Sequence, residues 1–456
     1  YPLSKDIEIF GLKHFLTAYD PNDLPSGSID PLGFERGYLS LADQILPGMT
    51  NVASCPRYFG LVCAGVRITD LSNIHTRADK INARMKTILI LEKAWALANT
   101  LIEDEVYSLS VLRGVQSARV YRSRLSSAGN KYTDLAGLDL LSNQTAYGAI
   151  GVYAAVAEYN GLFKNRSEYE LAEVGERLAD AFIKETQFPQ ELLDFIGQKS
   201  HRVSLDTLSS WGRRAYLWNS PYGHAEEKAI RDMFYDNPQY SNRTVFINTI
   251  IDLYEMGKFD PENDDLDQLL IARLMTVAKK NGHYRHFEVC RIILDYEKIY
   301  KYSLLAFQLL LYRSERLGGI FPISTLTQDE EWRGVRQGFT VAANEFFENC
   351  NKTLNRDILS YHNDIIQFVE ILSGTQNEVQ FAEAILDRHN QVQQGKLDHG
   401  KPKAPWVSLD GDDIKLILSQ NMASNKAPTI ESISPHHYRL NAANNWMKAA
   451  GLYRAG

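Results

Sequence analysis

The sequence predicts a mainly α-helical protein built from two or more domains, with at most a small β-hairpin near the C-terminus. Three observations predict it. At 456 residues the chain exceeds what one compact core holds. Apolar residues recur at three- and four-residue spacing in segment after segment. Proline and glycine fall where those segments should stop. We place a helical N-terminal domain with the candidate site at residues 1–200, a helical bundle at 201–385, and a basic, aromatic segment at 386–456.

Residues 1–33 read as irregular, punctuated by Pro21, Pro25, Gly27, Pro31 and Gly33. Asp30-Pro31-Leu32-Gly33 is a turn into a helix over 34–46, and Asp30 either caps that helix or points into a cleft. Leu46-Pro47-Gly48 ends it. A second helix starts at Pro56 and runs to about Asp70. Arg57 in its first turn opposes the helix dipole unless an anion offsets it, making Arg57 a candidate partner for a phosphate or for Asp30. Residues 76–102 form the clearest helix, with Ile88, Leu91, Trp95 and Leu101 on its apolar face. It ends in the solvated acids Glu103-Asp104-Glu105. Residues 110–125 form the densest basic stretch, and Arg119 and Arg122 share one helical face. That face can hold phosphates or form a salt-bridged contact.

After a loop at 126–131, residues 139–161 read as a buried helix capped by Ser142 or Asn143. Gly148 and Gly151 cost it about 1 kcal/mol each relative to alanine, a cost tolerated where a backbone or ligand comes close. Asn143 and Gln144 with Tyr147 either cap and pack this helix or read the edge of a nucleobase or sugar, because amides offer a donor and an acceptor together. An acidic amphipathic helix follows over 167–186, and a short one starts near Gln190. Trp211, Arg213, Arg214, Tyr216 and Trp218 suit core packing or base stacking.

From 223 to 375, helices are expected at 225–235, 240–257, 264–281, 284–316, 329–350 and 355–373. The long 284–316 segment, almost wholly apolar from Leu304 to Leu311, should run through the middle of a bundle. His283 and His286 are too few ligands for a metal site. A helix over 376–400 precedes one strand pair, 406–409 and 414–418, around the hairpin-type turn Asp410-Gly411. A last helix contains Trp446 and Met447.

The net charge of −7 excludes a simple DNA-coating protein. No run approaches the roughly 20 apolar residues of a membrane span. Cys55, Cys63, Cys290 and Cys350 form no CxxC pair, which fits a reducing cytoplasm. Residues Tyr1 to Phe10 show no leader pattern. Phosphate-binding, dinucleotide-binding, zinc-protease, serine-hydrolase, kinase and zinc-deaminase signatures are all missing. Chemistry without a cofactor or metal, run on carboxylates, amides, tyrosines and arginines, is therefore expected.

Asp30-Pro31-Leu32-Gly33, then Leu46-Pro47-Gly48 with Arg57-Tyr58-Phe59, then Leu141-Ser142-Asn143-Gln144 with Tyr147-Gly148 resemble a family of bacterial proteins from anti-phage defence loci. The tail residues His389, Gln393, Lys396, Lys401 and Trp406 share the resemblance. One branch of that family is a DNA glycosylase that excises glucosylated hydroxymethylcytosine from phage genomes. The resemblance implies double-stranded phage DNA with modified bases as partner and hydrolysis of an N-glycosidic bond as reaction. Such chemistry flips the target base into a pocket, reads its edge and stabilises an oxocarbenium-like sugar with a carboxylate. Asp30 and Asp139 are the candidate catalytic carboxylates. Asn143, Gln144, Tyr147 and Tyr58 are candidates for reading and stacking the base, and Arg57, Arg119 and Arg122 for holding phosphates. The competing expectation is a non-enzymatic subunit of a defence system that senses phage DNA or protein.

Overall fold

The computed structural model describes residues 30–71, 76–103, 109–194, 201–218, 223–260, 268–352, 356–359, 363–398, 401–418 and 426–452. The described residues are 68% helical with only small antiparallel sheets, the mainly α class that the periodicity predicts. In chain order the helices are α1 (Glu35–Ile45), α2 (Arg57–Asp70), α3 (Arg77–Leu101), α4 (Val115–Ser127), α5 (Gln144–Tyr147), α6 (Ala149–Tyr159), α7 (Glu173–Glu185), α8 (Gln190–Leu193) and α9 (Leu205–Arg214). There follow α10 (His224–Phe234), α11 (Ser241–Glu255), α12 (Gln268–Lys280), α13 (Tyr284–Arg316), α14 (Glu330–Lys352), α15 (Asn363–Ser373), α16 (Glu378–Gln394) and α17 (Leu440–Ala449). The chain divides into two compact units that are each discontinuous in sequence. Residues 47–247 and 439 onward fall in the first, and 30–46 and 248–438 in the second, so the division lies inside α11.

The first unit is arranged around α2. All its residues except Arg67 and Asp70 are buried, as expected of a helix that is apolar on every side. It packs against α3, α6 and α7. The C-terminal α17 completes this core. Its Trp446 ring meets Phe59 at 5.1 Å and Phe234 at 5.3 Å, and its indole N–H donates to the Ala53 carbonyl at 3.0 Å. Two short ladders edge the unit: β1 (Tyr132–Asp134) with β4 (Arg202–Ser204), and β2 (Phe163–Asn165) with β3 (Glu170–Leu171). The helix expected from residue 167 therefore begins only at Glu173. Asn165 caps a single 3₁₀ turn, and Tyr169 then takes a left-handed conformation (φ 51) that feeds β3 instead of a helix.

The second unit is arranged around α13, a 33-residue helix. Leu305, Ala306, Phe307, Leu309, Leu310 and Leu311 are buried in it, as the apolar run predicts. It packs against α1, α12, α14 and α16. The expected hairpin is present as β8 (Val407–Asp410) and β9 (Asp413–Leu416), and β5 (Ile320–Pro322) adds a third strand through Phe321 opposite Ile414. A further two-residue pair joins β6 (Leu397–Asp398) to β7 (Lys401–Pro402). The chain thus holds more strand than the single pair expected. These ladders are two to four residues long, too short for an alternating pattern to register in sequence. Among the described residues no helix is long and apolar enough to cross a membrane.

Candidate functional site

The residues of the central stretch assemble around an acid that sequence reasoning passed over, Glu92. It lies fully buried on the apolar face of α3. Gln144 donates its side-chain N–H to Glu92 Oε2 at 2.8 Å, and the Ala149 backbone N–H at the start of α6 donates to Oε1 at 2.7 Å. Burial pushes the Glu92 carboxyl up to about 7, opposed by those two donors and by Arg113. Gly148 sits where the helix breaks, because a Cβ there would lie 2.5 Å from Glu92 Oε2. Tyr58 stacks on Tyr153 at 4.5 Å, meets Trp95 edge-on at 4.7 Å, and accepts the Arg113 backbone N–H at 2.8 Å. Asn143 is exposed, and its carbonyl oxygen accepts from the Ala146 N–H at 3.1 Å, the capping alternative. Tyr147 is half-buried, and Asp139 is exposed in the loop before α5.

The expected phosphate ligands are held by protein groups. Arg57 is 2% exposed. Its Nη2 pairs with Glu226 at 2.7 Å and its Nη1 donates to the Tyr216 carbonyl at 2.7 Å. The carboxylate that offsets the dipole is therefore Glu226, not a phosphate or Asp30. Arg119 and Arg122 share Glu103, and Arg122 also donates to the Thr100 carbonyl. Asp104 and Glu105 lie outside the described residues. Trp211 is core, donating to the Thr186 hydroxyl at 3.3 Å.

Asp30 belongs to the second unit. Its Oδ1 accepts from the N–H groups of Gly33 (2.8 Å) and Phe34 (2.9 Å), and its Oδ2 from Glu35 (2.9 Å). It therefore caps α1, and its negative charge is fixed where the helix dipole favours it. Gly33 closes this turn at φ +78, where a Cβ would lie 2.8 Å from Arg388 Nη2.

The same turn is gripped by α16. Arg388 donates to the Leu32 carbonyl at 2.8 Å, His389 Nδ1 meets the Pro31 carbonyl at 3.0 Å, and Lys396 Nζ donates to the Asp30 carbonyl. The Trp406 N–H donates to His389 Nε2 at 2.9 Å, so the proton of this imidazole sits on Nδ1. Burial holds His389 neutral, its pKa lowered to about 4. His389 and Gln393 are four residues apart, hence on one face of α16, and Lys396 follows just beyond the end of that helix. Gln393 is fully buried, and neither its amide oxygen nor its nitrogen has a partner among the described residues. Such an amide is costly, about 1–3 kcal/mol per unpaired group, unless something else completes it.

Glu35 completes the cluster. Burial pushes its carboxyl up to about 7, Asp30 pushes the same way, and Lys396 and His436 oppose them. Burial lowers the Lys396 ammonium in turn. His436 Nδ1 lies 2.7 Å from Glu297 Oε1, and the His436 backbone N–H donates to Glu297 Oε2 at 3.2 Å. The Tyr438 hydroxyl donates to Glu297 Oε1 at 2.7 Å. The imidazole stacks on Tyr38 at 4.4 Å and meets Tyr300 at 4.2 Å. Tyr438 takes a left-handed backbone (φ 45), a conformation that costs about 1–2 kcal/mol.

Sequence reasoning gave no role to Glu35 or Glu297, and placed His436 only as a residue preceding the last helix. Glu35 reads as an ordinary first-turn acid. Glu297 had a usable signal, an acid between the buried positions Tyr296 and Ile299. Among the described residues no group of three or more histidines, cysteines or acids gathers to hold a metal ion. Comparison with known proteins finds no matching family model, no matching curated protein and no matching solved structure.

Proposed function

We propose that this chain is a cofactor-independent DNA glycosylase of anti-phage defence, hydrolysing the N-glycosidic bond of a modified, glucosylated cytosine in double-stranded DNA. Its chemistry is centred on Glu35 in the second unit. One observation carries the reading: residues on which the resemblance rests converge. Asp30 and Lys396 are in contact across 366 positions, with His389, Gln393 and Trp406 beside them.

The cluster's chemistry suits the reaction. A carboxyl with a pKa of about 7 is present in both protonation states at neutral pH, as an acid that protonates a leaving base must be. The pinned Asp30 anion can stabilise positive charge that develops on the sugar. The Gln393 amide supplies the unused donor and acceptor that a base edge requires. Trp406 is half-buried, as a stacking platform needs to be. Four free thiols fit a cytoplasmic protein.

The test is incubation with glucosylated and unmodified phage DNA, followed by heating in alkali. Strand breaks that appear only after alkali, only in modified DNA, and fall at least about 100-fold in Glu35→Gln are expected. A mobility shift without breaks would replace the enzyme with a DNA-sensing subunit. Breaks before alkali that EDTA abolishes would replace it with a nuclease.

A further inference from the structure

We propose that Glu297 and His436 form a carboxylate–histidine dyad that activates the attacking water, with His436 Nε2 as the general base opposite the acid Glu35. The inference rests on the glycosidic reading of the same cluster and adds the second proton-handling group that the reaction needs.

The geometry assigns each ring nitrogen a task. Glu297 is wholly buried and sits 2.7 Å from His436 Nδ1. A carboxylate there favours the Nδ1–H tautomer, which leaves the lone pair of the neutral ring on Nε2. The backbone N–H of His436 and the Tyr438 hydroxyl also donate to Glu297, so the carboxylate is fixed from three directions. Tyr38 from α1 stacks on the imidazole at 4.4 Å and Tyr300 from α13 tilts against it at 4.2 Å, which restricts its rotation. The charged groups facing the dyad are Glu297 on α13, Glu35 on α1 and, beyond Glu35, Asp30 and Lys396. A buried acid beneath a histidine with a second carboxyl nearby is the arrangement in which environments separate an acid from a base.

The step balances without a co-reactant. Water attacks the anomeric carbon as its proton passes to His436 Nε2, forming the carbon–oxygen bond. The carbon–nitrogen bond breaks, its electron pair leaves with the base, and the base takes the proton of Glu35. The imidazolium, stabilised by Glu297, and the Glu35 carboxylate then exchange one proton through solvent to restore the starting state.

The experiment follows abasic-site formation in glucosylated DNA against pH for the unaltered chain, Glu297→Gln, His436→Gln and His436→Ala, with thermal melting of each. His436→Gln is expected to lose at least about 100-fold in rate. Glu297→Gln is expected to lose rate while keeping its melting temperature near that of the unaltered chain. Added imidazole should restore part of the His436→Ala rate, which a packing role would not allow. An active chain whose three variants keep full rate, or whose His436→Ala gains nothing from imidazole, overturns the dyad alone. An unaltered chain that makes no abasic sites overturns the glycosidic reading beneath it.

Discussion

Arg57 shows how a residue's role depends on a partner 169 positions away. Its place in the first turn of α2 is visible in sequence, and so is the need for an anion, but Glu226 is not. Because both charges are almost wholly buried, removing one strands the other. Arg57→Met should therefore destabilise the first unit by about 3–5 kcal/mol in urea unfolding, and adding Glu226→Leu should recover much of the loss. An unchanged midpoint in the single variant would show the pair to be solvated. Asn143 follows the same logic in reverse. A cap needs only its own next turn, so the sequence offers it as one of two local alternatives that the Ala146 N–H decides.

At the scale of elements, Glu92 accounts for the break between α5 and α6. Its two oxygens take the first N–H of α6 and the Gln144 amide, and Gly148 leaves room for them. The sequence displays the two glycines and the amide but not the acid opposite, which belongs to α3. The Glu92 pKa stands near 7 folded against 4.5 unfolded, so its contribution is fully present below pH 4.5 and is lost as pH rises through 7. That gap corresponds to about 3 kcal/mol, so the first unit should be less stable at pH 8 than at pH 5. Glu92→Gln should flatten this dependence of the first unit, because Glu35, whose carboxyl is raised likewise, belongs to the second. A Glu92→Gln chain whose stability still falls as steeply between these pH values would contradict the assignment. Helix existence was legible throughout because apolar spacing is local. The short ladders were not, since their pairing depends on distant strands.

For the whole molecule, the lesson is that sequence neighbours are not unit neighbours. The Asp30 turn and α1 pack with the C-terminal half, and α17 packs with the N-terminal half. No composition shift marks either crossing, so boundaries drawn along the chain at 200 and 385 do not coincide with the units. Trp446 is the residue through which α17 closes the first core, between Phe59 and Phe234. Trp446→Ala should cost about 3–5 kcal/mol of unfolding free energy, with loss of protection from amide exchange in α2 and α10. Retained protection there would show α17 to be dispensable. The same long-range folding explains the candidate site. Asp30, His389, Gln393, Lys396 and Trp406 could be picked out singly, while Glu35, Glu297 and His436 gain meaning only once α1, α13 and α16 are together.

The central claim is that Glu35 supplies the proton that releases a modified base. The most direct measurement is mass-spectrometric detection of free glucosylated base from phage DNA, with the unaltered chain and Glu35→Gln compared between pH 5 and pH 9. Release is expected to decline as pH passes about 7 and to be lost in Glu35→Gln while that variant still melts cooperatively. Release by Glu35→Gln at the unaltered rate and with the same pH dependence would contradict it.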